Sequence, residues 1–333
     1  MSINHKSRKN NQNKIKFKKL NQMKNCLYFL LVIILADGCC FARSWHQSTL
    51  MFFDTVCEIR VFSTSSEFSA AKNEVKKIFS SLEKILSPEK RDIESEHAKY
   101  LLKESLNIHQ NTDGYFDITV GPLKEAWGFL SGDYRVPPKE EINGLLKRVG
   151  MEKIQTQNSK IFIPKKVKLD WGAIAKGYGV DLASKALIKM NIKKGFINAG
   201  GDIFCWGKNP DGDDWKIGIQ HPRKKGFLGI LSLTCMGAAT SGDYQRFFIK
   251  EGKRYHHIFN PFTGYPAQGK QSVTVIGPQV FLCDALSTSI FISEHPDKII
   301  KKYPDYGAVI VGNEGKITYI GKKYNIDLNK ENI

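Results

Sequence analysis

The sequence predicts an α+β fold, an antiparallel sheet packed with helices, on three observations. Helical periodicity is sustained in places: Phe68, Ala71, Val75, Ile78, Phe79, Leu82 and Leu86 recur at three- and four-residue spacing. Short apolar strands are joined by hairpin signals, as at Asn313-Glu314-Gly315 between 308–311 and 317–320. Strict β-α-β alternation is absent, as are GxGxxG and GxxxxGK[ST], which argues against Rossmann and P-loop domains.

Taken in order, residues 50–62 read as a strand and 67–86 as the first helix, stopped by Pro88. A second helix over 97–108 ends at the turn cluster Asn111-Thr112-Asp113-Gly114. Residues 131–166 read as a lysine-rich surface excursion with one helix over 139–149. Helical pattern returns over 173–190, and 196–203 is a short apolar strand running into Gly200-Gly201-Asp202. Strands follow at 215–220, 229–234, 247–250 and 272–276, then a helix over 283–293.

The 333 residues divide into a leader, 1–42, and a body, 43–333. Residues 1–24 hold eight Lys or Arg and no acid, so the chain's +17 falls to +9 without them. An uncharged run from Cys26 to Ala36 follows, too short to span a bilayer and matched to the apolar core of a secretory signal. An exported protein on the periplasmic side of the inner membrane is expected. Met1 and Met23 are alternative starts, the second leaving residues 1–22 as an upstream extension. Leu35-Ala36-Asp37-Gly38-Cys39 reads as a lipoprotein box that would anchor the chain through Cys39, and cleavage after Ala42 is the rival. The moderately basic body suits an anionic ligand, and no nucleic-acid-binding motif is present. Cys57, Cys205, Cys235 and Cys283 are scattered without CxxC, which disfavours zinc and leaves disulfides and free thiols both open.

Five blocks carry candidate chemistry. In Cys283-Asp284-Ala285-Leu286-Ser287-Thr288, a carboxylate and a hydroxyl stand one helical turn apart, hard oxygen donors of the kind Mg2+ takes beside substrate phosphates. In Asp170-Trp171-Gly172-Ala173-Ile174-Ala175-Lys176-Gly177-Tyr178, a strand meets a glycine-containing turn and a helix start, where amides bind anions and Lys176 adds charge. Asp170 reads equally as an ordinary N-cap. Asn198-Ala199-Gly200-Gly201-Asp202 and Ala239-Thr240-Ser241-Gly242-Asp243-Tyr244 permit close backbone approach or simply turn. In Tyr255-His256-His257-Ile258-Phe259-Asn260-Pro261-Phe262-Thr263-Gly264-Tyr265-Pro266, one of the paired histidines is a candidate general base. Tyr115, Phe116 and Asp117, within 113–123, offer rings that stack on a flat ligand or fill a core.

Together these blocks resemble the FAD:protein FMN transferase family, the ApbE-like flavin transferases once described as thiamine biosynthesis lipoproteins. The resemblance spreads from about residue 50 to residue 320. It implies a fold related to the T-fold and transfer of FMN from FAD onto a Thr or Ser of an exported acceptor, with release of AMP. It implies Mg2+ held by Asp284, Thr288 and the backbone oxygen of Ala173. It implies FAD contacts at Phe53, Tyr115, Phe116, Asp117, Asp170, Lys176 and the strand around Ile258. The catalytic residues expected are Asp284, as a metal ligand, and His257, as the candidate base for the acceptor hydroxyl. The acceptors it implies are flavoprotein subunits of Rnf- or NQR-type respiratory complexes. Two departures stand out: Phe53-Asp54-Thr55 replaces Met-Gly-Thr, and 86–94 matches the family poorly. Hydrolysis of FAD to FMN and AMP, and flavin binding without turnover, are the rival readings.

Overall fold

The computed structural model describes residues 42–86, 93, 95–157 and 160–328. Residues 1–41 of the leader, with Cys39, and most of 87–94 lie outside the described residues.

The chain opens with a hairpin, β1 (Ser44–Phe52) and β2 (Thr55–Ser63), paired in full antiparallel register from Ser44↔Ser63 to Phe52↔Thr55. The expected single strand over 50–62 therefore contains a turn. Phe53 and Asp54 both take left-handed φ, +54° and +53°. No glycine or proline marks that bend, so the apolar run conceals it. Alternate β2 residues Cys57, Ile59 and Val61 are buried against α1 (Ser65–Ile85). A reciprocal cap sets the start of α1: Thr64 Oγ1 accepts from the Glu67 amide at 3.2 Å, and Glu67 accepts from the Thr64 amide at 2.9 Å.

After α2 (Glu96–Asn111), residues 121–153 form a small module, not a loose excursion. Short helices α3 (Gly121–Ala126) and α4 (Lys139–Leu146) close over Trp127, Phe129 and Ile142. The ribbon β3 (Gln155–Gln157) and β4 (Lys160–Phe162) follows. A 3-10 turn, Trp171–Ala173, then leads into α5 (Ala175–Lys189), which fills nearly all of the helix expected over 173–190.

Strands β5 (Gly195–Ala199) and β6 (Asp202–Trp206) form a second hairpin whose turn is Gly200-Gly201 at φ +63° and +101°. The single strand expected over 196–203 folds back there. β7 (Trp215–Gln220), β8 (Phe227–Leu233), β9 (Met236–Gly242), the hairpin β10 (Phe247–Lys250) and β11 (Lys253–His256), and β12 (Lys270–Gly277) come next. The chain then forms α6 (Val280–Ile292), α7 (Pro296–Lys301), β13 (Gly307–Gly312), β14 (Ile317–Gly321) and β15 (Ile326–Leu328).

Eight strands make one sheet in the order β1-β2-β5-β6-β9-β12-β13-β14, antiparallel at every pairing. This is the α+β, antiparallel class. One face carries α1, α5 and α6. There Val273 and Val275 of β12, with Ala308 and Ile310 of β13, meet Leu286 and Ile290 of α6. The alternate residues Ile276, Val309 and Val311 face a three-stranded sheet, β15-β8-β7, through Leu228, Leu231 and Trp215. Because α6 lies between the main sheet and the rest of the helical layer, all of it is buried except Leu282 and Thr288. The four described cysteines are free thiols, three buried and Cys235 exposed. Among the described residues no helix is long and apolar enough to cross a membrane.

Candidate functional site

A cleft of about 670 Å3, open to solvent, lies where the start of α5, the Asp284–Thr288 side of α6, the end of β9 and the segment after β11 converge. Its floor is ionic. Lys176, in the first turn of α5, reaches Asp284 Oδ2 of α6 at 3.2 Å and Asp202 Oδ2 of β6 at 3.3 Å, and donates to the Gly172 carbonyl at 3.0 Å. Burial opposes its charge, but the two carboxylates outweigh that and hold the ammonium protonated, its pKa raised. Asp202 is pushed well above the usual carboxylate range, first by burial and then by the like charge of Asp284. Its Oδ2 touches Lys176 as an ion pair yet accepts no hydrogen bond.

Asp284 and Thr288 stand one turn apart on α6. A chain of hydroxyls fixes the second of them. Ser287 Oγ donates to the Asp284 carbonyl at 2.9 Å, so Ser241 Oγ, 2.7 Å away, donates to Ser287. Thr288 Oγ1, 3.1 Å from Ser241, then donates in turn, which leaves its lone pairs for the cleft. The Asp284 carboxylate, these lone pairs and the unbonded Asp202 oxygen are hard donors, and Ala173 lines the same wall. Such a set fits Mg2+.

The opposite wall holds the two histidines, and their partners separate their roles. His256 is buried, with Nε2 donating to the Ala267 carbonyl at 2.8 Å and Nδ1 accepting from the Ile258 amide at 3.2 Å, so both nitrogens are consumed. His257 faces the cleft, and its Nδ1 contacts the Arg246 carbonyl at 3.2 Å. That nitrogen must carry the hydrogen, which leaves Nε2 a free acceptor. Burial, then the charge of Lys124, holds His257 well below its ordinary pKa. A neutral imidazole with an open lone pair is the form a general base needs.

Lys124 comes from α3 and pairs with Asp170, whose other oxygen accepts from the Gly172 amide at 3.1 Å. Asp170 is therefore both the cap of the 3-10 turn and a cleft residue. Tyr115, Phe116 and Asp117 line the far end, with the Tyr115 ring edge-on to Phe262 at 5.4 Å. The Asp117 carboxylate accepts from the amides of Thr119 at 2.7 Å and Met151 at 3.1 Å. Burial raises its pKa while those bonds oppose the rise. His109, Asp117 and Glu152 bring potential ligand atoms within 4.8 Å of one another, with the Asp117 oxygens also accepting from these amides.

The fold thus brings Asp284, Thr288, Ala173, Lys176, Asp170, Tyr115, Phe116, Asp117, His257 and Ile258 to one cleft. Phe53 is not in its lining: it packs on Phe79, ring centroids 5.4 Å apart, beside Gly179. Sequence reasoning assigned no role to Lys124 and Asp202, or to Thr240, Ser241 and Gln245, which also line the cleft. Asp202 and Ser241 sit inside the small-residue blocks already noted. Lys124, one lysine among many, carries no local signal.

The chain is similar to known proteins in sequence and in fold. Residues 53–310 match the ApbE family. The FAD:protein FMN transferase of Haemophilus influenzae is 36% identical over 214 residues, 60% of this chain and 61% of that protein. The chain thus spans about three fifths of that relative's length. The one from Treponema pallidum is 26% identical over 86% of this chain and 92% of its own length. Among solved structures, the ApbE protein of Thermotoga maritima superposes with a TM-score of 0.77 at 30% identity, covering 83% of this chain and 97% of that one. The flavin transferase ApbE of Vibrio cholerae gives 0.73 at 25% identity, covering 84% and 98%. With three quarters of its length matched and its architecture shared, the chain belongs to the ApbE family.

Proposed function

We propose that the chain is an FAD:protein FMN transferase that uses Mg2+, exported to the periplasmic side of the inner membrane, where it modifies a Thr or Ser of an acceptor flavoprotein, with Rnf- and NQR-type subunits as the candidate acceptors. The observation that carries the reading is the meeting of Asp284 and Thr288, one turn apart, with a neutral His257 across a single cleft. The transferase relatives from Haemophilus influenzae and Treponema pallidum support it.

Bound Mg2+ supplies positive charge to the oxygens of the FAD diphosphate. Asp284 and Thr288, with the Ala173 backbone, would hold it, and Lys176 adds a fixed cation beside them. His257 Nε2 takes the proton from the acceptor hydroxyl as its oxygen bonds to the FMN-side phosphorus. The P–O bond to the AMP half breaks, and AMP leaves with the bridging oxygen. Positioning and charge supply nearly all of the catalysis in such a displacement.

The test is incubation of the protein with FAD, Mg2+ and a candidate acceptor. A flavin-fluorescent acceptor band on a denaturing gel, with AMP released in equal amount, is expected. AMP and free FMN without a labelled acceptor would mean that water is the acceptor. FAD binding without AMP would mean a flavin-binding protein only.

A further inference from the structure

One buried carboxylate in the helical layer takes no part in the chemistry above. Asp181 lies two turns into α5, buried, and its side chain points at the first turn of α6. Oδ1 accepts from the Val280 amide and Oδ2 from the Phe281 amide, both at 3.0 Å. These are orphan N–H groups that every helix start must satisfy. Here the residue in the N-cap position, Gln279, supplies no side-chain cap, so a residue about a hundred positions earlier in the chain does it instead. Gly177, one turn before Asp181, completes the joint. A Cβ there would stand 2.6 Å from the Val280 carbonyl oxygen and 2.7 Å from the Phe281 Cα.

We propose that Asp181 is a positioning residue for the cation site: by clamping both leading amides of α6, it fixes the azimuth and height at which Asp284 and Thr288 face Lys176 and the cleft. Asp284 lies one turn beyond the clamped amides and Thr288 two turns beyond. A small rotation of α6 would swing both donors off the bound cation together. The same α5 carries Lys176, whose ammonium lies 3.2 Å from Asp284, so one rigid helix sets both halves of the ionic floor. This inference rests on the Mg2+ reading above.

The experiment compares Mg2+ binding by calorimetry, in the presence of FAD, for the full chain, Asp181→Asn, Asp181→Ala and Leu231→Ala. Leu231 is buried under the small sheet on the far face and serves as a stability control. Asp181→Asn keeps one acceptor oxygen and turns a donor toward the second amide, so it tests the clamp even where Asp181→Ala does not fold. Supporting residues around metal ligands typically change affinity by about 10- to 100-fold. The expected result is a rise of at least about tenfold in the Mg2+ dissociation constant for Asp181→Asn, with Leu231→Ala unchanged despite its lower melting temperature. A lowered melting temperature with Mg2+ affinity held within about twofold would overturn the positioning role and leave only a structural cap. An unsubstituted chain that binds no Mg2+ would instead defeat the metal reading beneath it.

Discussion

Lys124 governs how His257 titrates. Its ammonium stands in the same cleft, and after burial it is the largest influence keeping that imidazole deprotonated. Lys124→Met removes the repulsion, so the histidine pKa climbs toward its usual value near 6.5. The proposed base is then protonated at a higher pH, and the acid limb of the rate profile moves upward in pH. A profile of AMP release against pH checks this, and an unmoved limb contradicts it. The same change frees Asp170 from its partner, so the KM for FAD rises as well. A second prediction at this scale concerns Asp54. A left-handed φ strains a residue with a Cβ, Asp less than most, by up to roughly 1 kcal/mol. Asp54→Gly is expected to stabilise the chain by about that much and raise Tm by roughly 2 °C. The lost ion pair to Arg246, 3.9 Å long and exposed, offsets little. A thermal melt that falls would reverse the assignment.

The helices on the sheet's inner face were legible in sequence because their apolar spacing survives in the structure. The 67–86 periodicity becomes α1 nearly residue for residue, since the stripe of Ala71, Val75, Phe79 and Leu82 is the buried one. The two hairpins were not legible. At Phe53-Asp54 the run is broken only by the lone Asp54, with no glycine or proline beside it, and at Gly200-Gly201 the glycines read equally well as a ligand-facing loop. The pairing of Asp181 with α6 was hidden for another reason: a cap supplied from another helix leaves no trace in local spacing. Its consequence is sharpest at Gly177. Gly177→Ala is expected to force α5 and α6 apart at the cost of about 1–3 kcal/mol, the usual penalty for overpacking. Urea unfolding measures that loss. AMP release should fall by more than the loss of folded protein explains, because Lys176 and Asp284 sit on the two separated helices.

For the molecule as a whole, the sheet has one working side. The cleft draws on α5, α6 and strand ends, whereas the three-stranded sheet covers the opposite face through its own core. Damage to that layer should cost stability without touching the chemistry. Leu231→Ala, which empties a fully buried site, is expected to destabilise by roughly 2–5 kcal/mol while leaving the FAD dissociation constant unchanged. Fluorescence quenching of FAD by the folded variant reads this directly, and a weakened affinity would show that the back layer reaches the site. The thiols are divided in a similar way. Burial lifts Cys57 to about 11 and Cys205 to about 12, and carries Cys283 well above its ordinary range. None of those three presents a thiolate to a reagent at neutral pH. Cys235 is exposed on the tight bend between β8 and β9. In the body of the folded chain, a maleimide dye would attach at that bend alone, giving a single-site optical reporter with no cysteine to engineer away.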